Sequence, residues 1–292
     1  LFLGAGRSVR ARPGARVIRW MCETVDDYLF DNRRHWDELV AHHLRSDFYD
    51  VEAFRRGTTS LLPLERAEVG PVAGRSLVHL QCHFGLDTLS WAREGAQVTG
   101  IDFSPEAIRA AGRLSSETGI AGRFVECDVL EAAERLGQRF DVVFTSWGVL
   151  TWVSDIKVWA ENVARLVAPG GFFYIAEVHP TALLFEHQPG GLPALTYGYF
   201  ARAEPMTLEL PGTYADPAAA VVNTRRHEWI YELGQVVNAL VDAGLRIEFL
   251  REHAFTCFQQ FPSMTMGSDR LWRLPTDWPQ FPLSFSLKAS PL

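Results

Sequence analysis

The amino-acid sequence predicts an α/β fold, in which a mostly parallel β-sheet carries helices on both of its faces. The segment 77–104 has the order strand, tight turn, helix, strand, and the same alternation continues to about residue 177. Hydrophobic residues make up 47% of the 292 residues, so the chain has enough apolar surface for a sizeable core. These observations indicate a chain built around βα repeats.

The first βα unit carries the strongest local signals. The apolar run 77–80 has the length of a strand, and Gly85 lies in the turn that follows it. Apolar residues then recur at helical spacing until Gly95, and the second strand, 97–101, is followed directly by Asp102. A helix amino terminus faces the ligand in such a unit, and a carboxylate at the end of the second strand can accept both ribose hydroxyls. The unit therefore predicts half of a nucleotide-binding site.

The other elements follow from hydrophobic periodicity and from capping residues. Ser104 caps a helix in which Pro105 takes the first position, where its missing N–H costs nothing. The further strands are predicted at 123–126, 141–146, 172–177, 246–253 and 281–288. The helices are predicted at 25 to about 51, 51–56, 105–118, 156–166 and 233–243. A loop is predicted for 58–70, and a turn for Pro169-Gly170-Gly171.

The stretch from about residue 180 to 228 interrupts this alternation. It carries six prolines and only short alternating segments, so we predict an inserted cap of loops and short strands. At the other end of the chain, residues 1–20 hold five arginines and no acid, and we interpret them as a basic extension rather than part of the fold.

The segment 77–104 resembles motifs I and II of the class I S-adenosylmethionine (SAM)-dependent methyltransferases. Typical members carry D/E-x-G-x-G-x-G at motif I, and here the four matching positions are His79, Gln81, His83 and Gly85. The chain is thus similar to a sub-branch with H-L-Q-C-H-F-G in this turn, which keeps only the last glycine. Side chains at positions 81 and 83 restrict how closely the backbone approaches a ligand, so we expect side chains to take over part of the binding at the methionine end.

The resemblance also implies the architecture. It predicts a seven-stranded, mostly parallel sheet with an antiparallel last strand, an N-terminal helical lid at 21–74, and a methyltransferase domain at 75–292 that contains the cap. Lid residues expected near the cofactor or acceptor are Tyr28, Asn32, His35 and Trp36.

By the same resemblance, the residues that follow the strands bind SAM. The implied cofactor contacts are Gln81, Cys82, His83, Gly85, Asp102, Phe103, Asp128, Val129, Ser146 and Trp147. In this set Asp102 serves the ribose, Asp128 the adenine amino group, and Ser146 with Trp147 the sulfonium. The implied acceptor-binding residues are Tyr28, Trp36, Trp152 and His179. For Cys82 the alternative is packing, and for Trp147 and Trp152 it is a place in the core.

Methyl transfer from a sulfonium is an in-line displacement, and an oxygen or neutral nitrogen acceptor can require a general base. His179 follows the fifth strand and is the predicted base, and Glu177, two residues earlier, points the same way in a regular strand. The alternatives are a buried His179 hydrogen-bonded to the backbone, and His83 as the base. The run Arg225-Arg226-His227 fits either an acidic acceptor or a solvated face.

Composition excludes several classes of function. The net charge of −7 argues against nucleic-acid and membrane-surface partners, and no apolar run of 18 residues is present. The four cysteines form no C-x-x-C pair, so we expect no metal and a reduced, cytoplasmic protein. Only two of the 28 basic residues are lysines, which is typical of a GC-rich bacterial gene.

The sequence therefore predicts a SAM-dependent methyltransferase that acts at O or N of a small molecule, as a monomer or homodimer. Two alternatives stay open. An NAD(P)-dependent oxidoreductase would require G-x-G-x-x-G directly after the first strand, and that pattern is missing. A non-catalytic SAM-binding protein would explain the loss of two glycines from motif I.

Overall fold

The computed structural model describes residues 24–186, 188 and 192–292. The predicted basic extension, residues 1–20, lies outside the described residues, as do positions 21–23 of the predicted lid.

Eight α-helices and fourteen β-strands make up the regular structure of the described residues. The helices are α1 (Val25–His43), α2 (Val51–Arg55), α3 (Pro63–Val69), α4 (Leu86–Arg93), α5 (Pro105–Thr118), α6 (Ala132–Leu136), α7 (Ile156–Leu166) and α8 (Leu233–Asp242). The strands are β1 (Ser76–Leu80), β2 (Gln97–Asp102), β3 (Arg123–Glu126), β4 (Phe140–Thr145), β5 (Val167–Val178), β6 (Phe185–Glu186), β7 (Ala194–Leu195), β8 (Met206–Glu209), β9 (Arg225–Glu228), β10 (Leu245–His253), β11 (Phe255–Thr256), β12 (Thr265–Met266), β13 (Trp272–Arg273) and β14 (Ser284–Pro291).

Seven strands form the central sheet, in the order β10-β14-β5-β4-β1-β2-β3. The pairs from β5 to β3 are parallel, whereas β14 runs antiparallel to both of its neighbours. The predicted seven-stranded, mostly parallel sheet with an antiparallel last strand is thus confirmed. The carboxyl ends of β1, β2, β4 and β5 meet along one edge, where ligands of open α/β sheets bind.

Apolar side chains cover both faces of the sheet. On one face Trp159 of α7 and Leu240 of α8 pack with Phe173 and Phe285, all fully buried. On the other face Trp91 of α4 packs with residues of β4 and β5. Each helix buries an apolar stripe against the sheet, which is the usual basis of a layered α/β fold.

Local sequence explains how the helices begin. The Ser104 hydroxyl accepts the Ala107 N–H at the start of α5, and Pro105 occupies its first turn, as predicted. At the start of α1, Thr24 and Asp27 form a reciprocal capping box. Both caps satisfy backbone donors that the helix itself cannot pair.

The structure differs from the sequence-based expectations in three places. Residues 63–69, predicted as loop, form α3, because Pro63 takes the first turn of a helix, where proline is tolerated. The first helix ends at His43 rather than near residue 51. Pro169-Gly170-Gly171 lies within β5 and not between two elements, and the pairing with β4 shifts register there.

Helix α1 lies against the segment that follows β5. It packs on α5 and on β9, and β9 pairs with β8. A further three-stranded sheet, in the order β11-β13-β12, lies between β10 and β14 in the chain. These parts contribute residues to the cavity that is described next.

Candidate functional site

The turn after β1 keeps a backbone path that suits glycine, although two glycines are replaced. Gln81, His83 and Gly85 all have positive φ angles, of 55°, 50° and 79°. Non-glycine residues rarely adopt this left-handed conformation, so the surroundings must hold Gln81 and His83 in it. Gly85 also has no room for a side chain, since a Cβ there would lie 2.7 Å from Cε1 of Phe124.

The side chains at these replaced positions tie the turn to its neighbours. The Gln81 amide donates to the carbonyl oxygen of Val149, at 3.1 Å. The His83 ring meets His43 of α1, with 2.9 Å between Nε2 of His83 and Nδ1 of His43. The motif I turn is therefore fastened both to the loop after β4 and to α1.

Asp102 braces the same turn from the end of β2. Its Oδ2 accepts the His83 N–H at 2.8 Å, and its Oδ1 accepts the Ser104 N–H at 2.9 Å. Burial raises the pKa of Asp102 to about 6, against the effect of these two N–H donors. The carboxylate lies at the predicted place, the end of β2. It is outside the lining of the cavity at the carboxyl ends of β1, β4 and β5. Its contact with ribose stays a prediction.

The other residues predicted for the adenosine end, and Cys82, which is predicted for the methionine end, also lie outside the cavity lining. Asp128 accepts the Leu130 N–H at 2.8 Å and starts the turn that contains the buried Val129. Phe103 is half-buried beside Asp102. Cys82 is buried, and a Cβ on Gly100 would lie 2.8 Å from its Sγ. The packing alternative therefore describes Cys82 better than a ligand contact.

A cavity of about 850 Å³ opens at the carboxyl ends of β1, β4 and β5. Its floor is lined by residues at the end of these strands or in the segments that follow them, namely Leu86, Asp87, Ser146, Trp147, Gly148 and Glu177. Aromatic side chains form much of its wall, and among them are Trp36, Tyr49, Trp152, Tyr214, Trp229 and Trp272. Ser146 and Trp147, predicted near the sulfonium, thus do face the cavity.

The predicted acceptor-binding residues separate into two groups. Trp36 and Trp152 both line the cavity and meet edge to face, with ring centroids 5.2 Å apart. Tyr28 lies outside the lining, where its ring packs 4.6 Å from the ring of His227 and 6.2 Å from that of Trp229. Tyr28 therefore supports the wall, while the two tryptophans form it.

The prediction that His179 faces the acceptor is wrong. The chain turns away after β5, so the His179 ring lies outside the cavity lining, and its Nδ1 accepts the Thr181 N–H at 3.1 Å. The proton is therefore on Nε2, which lies 2.9 Å from Oε1 of Glu252. A buried, hydrogen-bonded histidine was the alternative reading of this residue.

Glu177 lines the cavity, but its carboxylate binds backbone N–H groups instead of acting as a proton acceptor. Its carboxylate accepts the N–H groups of Gly148, Val149 and Leu150, at 2.5, 2.8 and 3.0 Å. Burial raises its pKa to about 7, although these N–H donors act in the opposite direction. Glu177 therefore fixes the loop after β4, and its predicted alignment with His179 is also wrong.

His35 of α1 is the histidine that the structure brings to the cavity. Its Nδ1 lies 2.6 Å from the carbonyl oxygen of Asn223, and a carbonyl can only accept, so Nδ1 carries the proton. The Nε2 lone pair is then left for the cavity, which His35 lines. Burial lowers the pKa of His35 to about 4, so the ring is neutral at pH 7. The ring also stacks on Trp152, at 6.3 Å and 28°.

Asn223 is itself held by α1, one turn after His35. The Glu38 carboxylate accepts the N–H groups of Val222 and Asn223 and the Asn223 side-chain amide, each at 2.7 Å. The Asn223 carbonyl, which keeps the proton on Nδ1 of His35, is therefore held in place by Glu38, on the same helix as His35. Sequence analysis placed His35 in the lid, but the partner 188 residues away could not be read from the sequence.

The arginine run near the cavity is already paired. Arg226 lies 2.7 Å from the Glu228 carboxylate, and Arg225 lies 3.4 Å from Asp31. This pairing counts against the interpretation that the run binds an acidic acceptor. Sequence reasoning also missed the buried Glu65 and its neighbour Asp87, because Glu65 fell in a predicted loop.

The described part of the chain carries neither a metal-binding cluster nor a membrane-spanning helix. No group of three or more His, Cys, Asp or Glu residues there could hold a metal ion. None of the described helices is both long and apolar enough to span a bilayer.

The residues present fit a SAM-type ligand. The glycine-like turn after β1, the carboxylate at the end of β2, and the cavity residues Ser146 and Asp87 lie along one sheet edge, where ligands of open α/β sheets bind. Gln81 also has a buried side-chain oxygen without a hydrogen-bond partner among the described residues, which leaves an acceptor for a ligand.

Comparisons with known proteins identify the family of the chain. The family described as "Methyltransferase domain" matches residues 78–173. A protein of Methylobacterium nodulans named ubiquinone biosynthesis O-methyltransferase is 30% identical over 185 residues, which cover 59% of this chain and 74% of that protein.

Solved structures share the fold. A SAM-dependent methyltransferase from Mesorhizobium loti matches with a TM-score of 0.53 and 20% identity, over 80% of this chain and 99% of that chain. A putative SAM-dependent methyltransferase from Listeria monocytogenes matches with a TM-score of 0.53 and 15% identity, over 78% of this chain and 94% of that chain.

Proposed function

Because the chain belongs to the SAM-dependent methyltransferases, we propose that it methylates a hydroxyl oxygen of a small aromatic acceptor. Its cofactor is SAM, which when bound supplies an electrophilic methyl group on a positively charged sulfur. This membership excludes the NAD(P)-dependent oxidoreductase alternative. We interpret the H-L-Q-C-H-F-G turn as the mark of a sub-branch of this family.

The aromatic cavity carries the proposal. Ser146 and Trp147, two of the residues expected to bind cofactor, lie on its floor, and its wall includes Trp36, Trp152 and Trp229. Flat apolar faces of this kind bind a ring by stacking and by edge-to-face contact. Its volume of about 850 Å³ is also within the range of small-molecule sites, roughly 300–1,000 Å³.

Oxygen as the methylated atom is supported by His35. A hydroxyl is a weak nucleophile until its proton is removed, and a neutral imidazole with a free lone pair can accept that proton. With SAM bound as the methyl donor, Nε2 of His35 would accept the proton that the acceptor hydroxyl loses on methylation. The relative named ubiquinone biosynthesis O-methyltransferase is consistent with an oxygen acceptor.

We also propose that α1, within the predicted lid 21–74, and the predicted cap 180–228 close the cavity together. His35 and Trp36 come from the first, and Tyr214, Arg226 and Glu228 from the second. Closure excludes water, which would compete with the acceptor and weaken the electrostatic interactions inside. A cytoplasmic location and a monomer or homodimer without nucleic-acid partners complete the proposal.

The test is an acceptor panel with matched functional groups. Purified protein is incubated with SAM and with phenols, anilines and thiophenols that share the same ring, and S-adenosylhomocysteine and methylated product are measured. We expect turnover of phenols or catechols, and the Trp152→Ala variant should raise KM for them. Turnover confined to the anilines or thiophenols, or to non-aromatic acceptors, would contradict the proposal.

A further inference from the structure

Position 79, acidic in the typical motif I, provides no negative charge in this chain. His79 is buried, and its two ring nitrogens contact hydroxyls, with Nδ1 2.9 Å from Thr88 Oγ1 and Nε2 2.9 Å from Ser146 Oγ. Burial lowers the pKa of His79 to about 3, so the ring is neutral at pH 7. The cationic sulfonium and ammonium of the cofactor therefore need another anionic partner, because a buried charge without one is costly.

Glu65 of α3 is one carboxylate that meets this need. It is 1% exposed and lines the cavity. Its Oε1 accepts the indole N–H of Trp147 at 2.7 Å, and its Oε2 accepts the Leu62 N–H at 2.8 Å. Trp147 directly follows Ser146, so Glu65 lies beside the strand end predicted to approach the sulfonium.

Asp87 is the second carboxylate, two residues beyond Gly85 in the first turn of α4. It lines the same cavity and is hydrogen-bonded to the side chain of Ser60. The guanidinium of Arg270 is close enough to both acids to lower their pKa values, and it also donates to the carbonyl oxygens of Thr59 and Leu61. Arg270 thereby holds the 59–61 segment, which carries Ser60, against the cavity.

The charge of the whole lining favours a cationic ligand. Its described carboxylates, apart from the exposed Asp47 and Asp50, are Glu65, Asp87, Glu177 and Glu228. Its described guanidinium groups are Arg226 and Arg270, and Arg226 already pairs with Glu228. Burial raises the pKa of Glu65 and of Asp87, and the nearby Asp87 carboxylate raises the pKa of Glu65 further. A cation bound between them would relieve that repulsion.

We propose that Glu65 and Asp87 form the binding site for the α-ammonium group at the methionine end of SAM, in place of the missing acid of motif I. This proposal rests on the methyl-transfer function above, but only on its cofactor and not on the acceptor. It assigns the side chains that take over binding where Gln81 and His83 have replaced glycine.

The test compares two ligands that differ in the amino-acid end. S-Adenosylhomocysteine carries the α-ammonium, whereas 5′-methylthioadenosine has the same nucleoside thioether without it. Calorimetry measures both affinities for the wild type and for Asp87→Asn, Glu65→Gln and Asp47→Asn. Asp47 is an exposed residue of the same cavity and serves as the matched control.

We expect the wild type to bind S-adenosylhomocysteine more tightly than 5′-methylthioadenosine. Asp87→Asn and Glu65→Gln should weaken the first ligand by about 10-fold or more, as loss of a charged hydrogen bond does, and leave the second unchanged. Asp47→Asn should change neither. Asp87→Asn keeps the shape of the side chain, and its melting temperature checks that the fold is intact.

Equal loss of both ligands in a folded Asp87→Asn variant, or no loss of either, would overturn the assignment of the ammonium site. A wild type that binds neither ligand would remove the cofactor itself and with it this site. A wild type that binds both ligands as expected but methylates no aromatic hydroxyl would overturn only the acceptor proposed above.

Discussion

Asn32 and His227 hold each other by two hydrogen bonds across 195 residues of chain. The Asn32 side-chain amide donates to the His227 carbonyl oxygen at 2.8 Å, and the His227 N–H donates to Oδ1 of Asn32 at 2.7 Å. Both residues are buried. The Asn32 side chain thus pairs with the backbone of β9 in the way that a neighbouring strand would. This pairing joins α1 to the segment after β5.

Replacing Asn32 with Ala should loosen this junction. Two buried backbone groups of His227 would lose their partners, which costs about 1–3 kcal/mol for each group. We expect faster amide hydrogen exchange in α1 and β9 and unchanged exchange in β1 and β4. Asp26→Ala, on the exposed part of the same helix, is the control. Uniformly faster exchange across the sheet would show that Asn32 supports the whole fold instead.

Two glycine substitutions test how tightly β2 packs against the motif I turn. A Cβ at Gly100 would lie 2.8 Å from Sγ of Cys82 and 2.9 Å from Cδ1 of Phe124, whereas a Cβ at Gly112 in α5 meets nothing within 4 Å. Gly100→Ala should therefore cost about 1–3 kcal/mol of unfolding free energy through overpacking. Gly112→Ala should gain up to about 1 kcal/mol from helix propensity. Denaturant unfolding measures both, and equal effects would contradict the packing described.

The buried His79 makes stability fall in acid. Its pKa is about 3 in the folded protein and about 6.5 in the unfolded chain, so the unfolded state binds the proton first. Its contribution is present above pH 6.5 and is lost as the pH falls toward 3. From pH 6.5 to pH 5 the loss is about 2 kcal/mol. His79→Gln should lose less free energy of unfolding over this interval than the wild type does, and an identical pH slope in both proteins would be the contrary result.

Much of the sheet could be predicted because its signals are local. The apolar run before Gly85, the acid at the end of β2, and Ser104 with Pro105 each act within a few residues. Helix α3 could not be read in this way, since its proline start is also typical of a loop. Its role depends on a contact between Glu65 and Trp147, 82 residues apart.

The residues of the candidate site could likewise be predicted where local signals place them, but not where distant contacts do. Ser146, Trp147 and Trp152 reach the cavity because they follow a strand whose end could be located. His179 also follows a strand, but backbone pairing with Leu283 and contact with Glu252 turn it away. These partners come from a distant part of the chain, so the sequence pattern near residue 179 does not predict the contacts.

His35 is the proposed proton acceptor, and the pH dependence of turnover in His35→Gln and His179→Gln tests this role most directly. At saturating SAM and acceptor, His35→Gln should lower kcat by about 10²–10⁴-fold and leave the KM for SAM unchanged. The wild-type kcat should fall in acid as His35 protonates near pH 4, and the variant should lack that limb. His179→Gln should keep the wild-type profile. A His35→Gln enzyme with wild-type kcat, beside an inactive His179→Gln enzyme, would contradict the assignment.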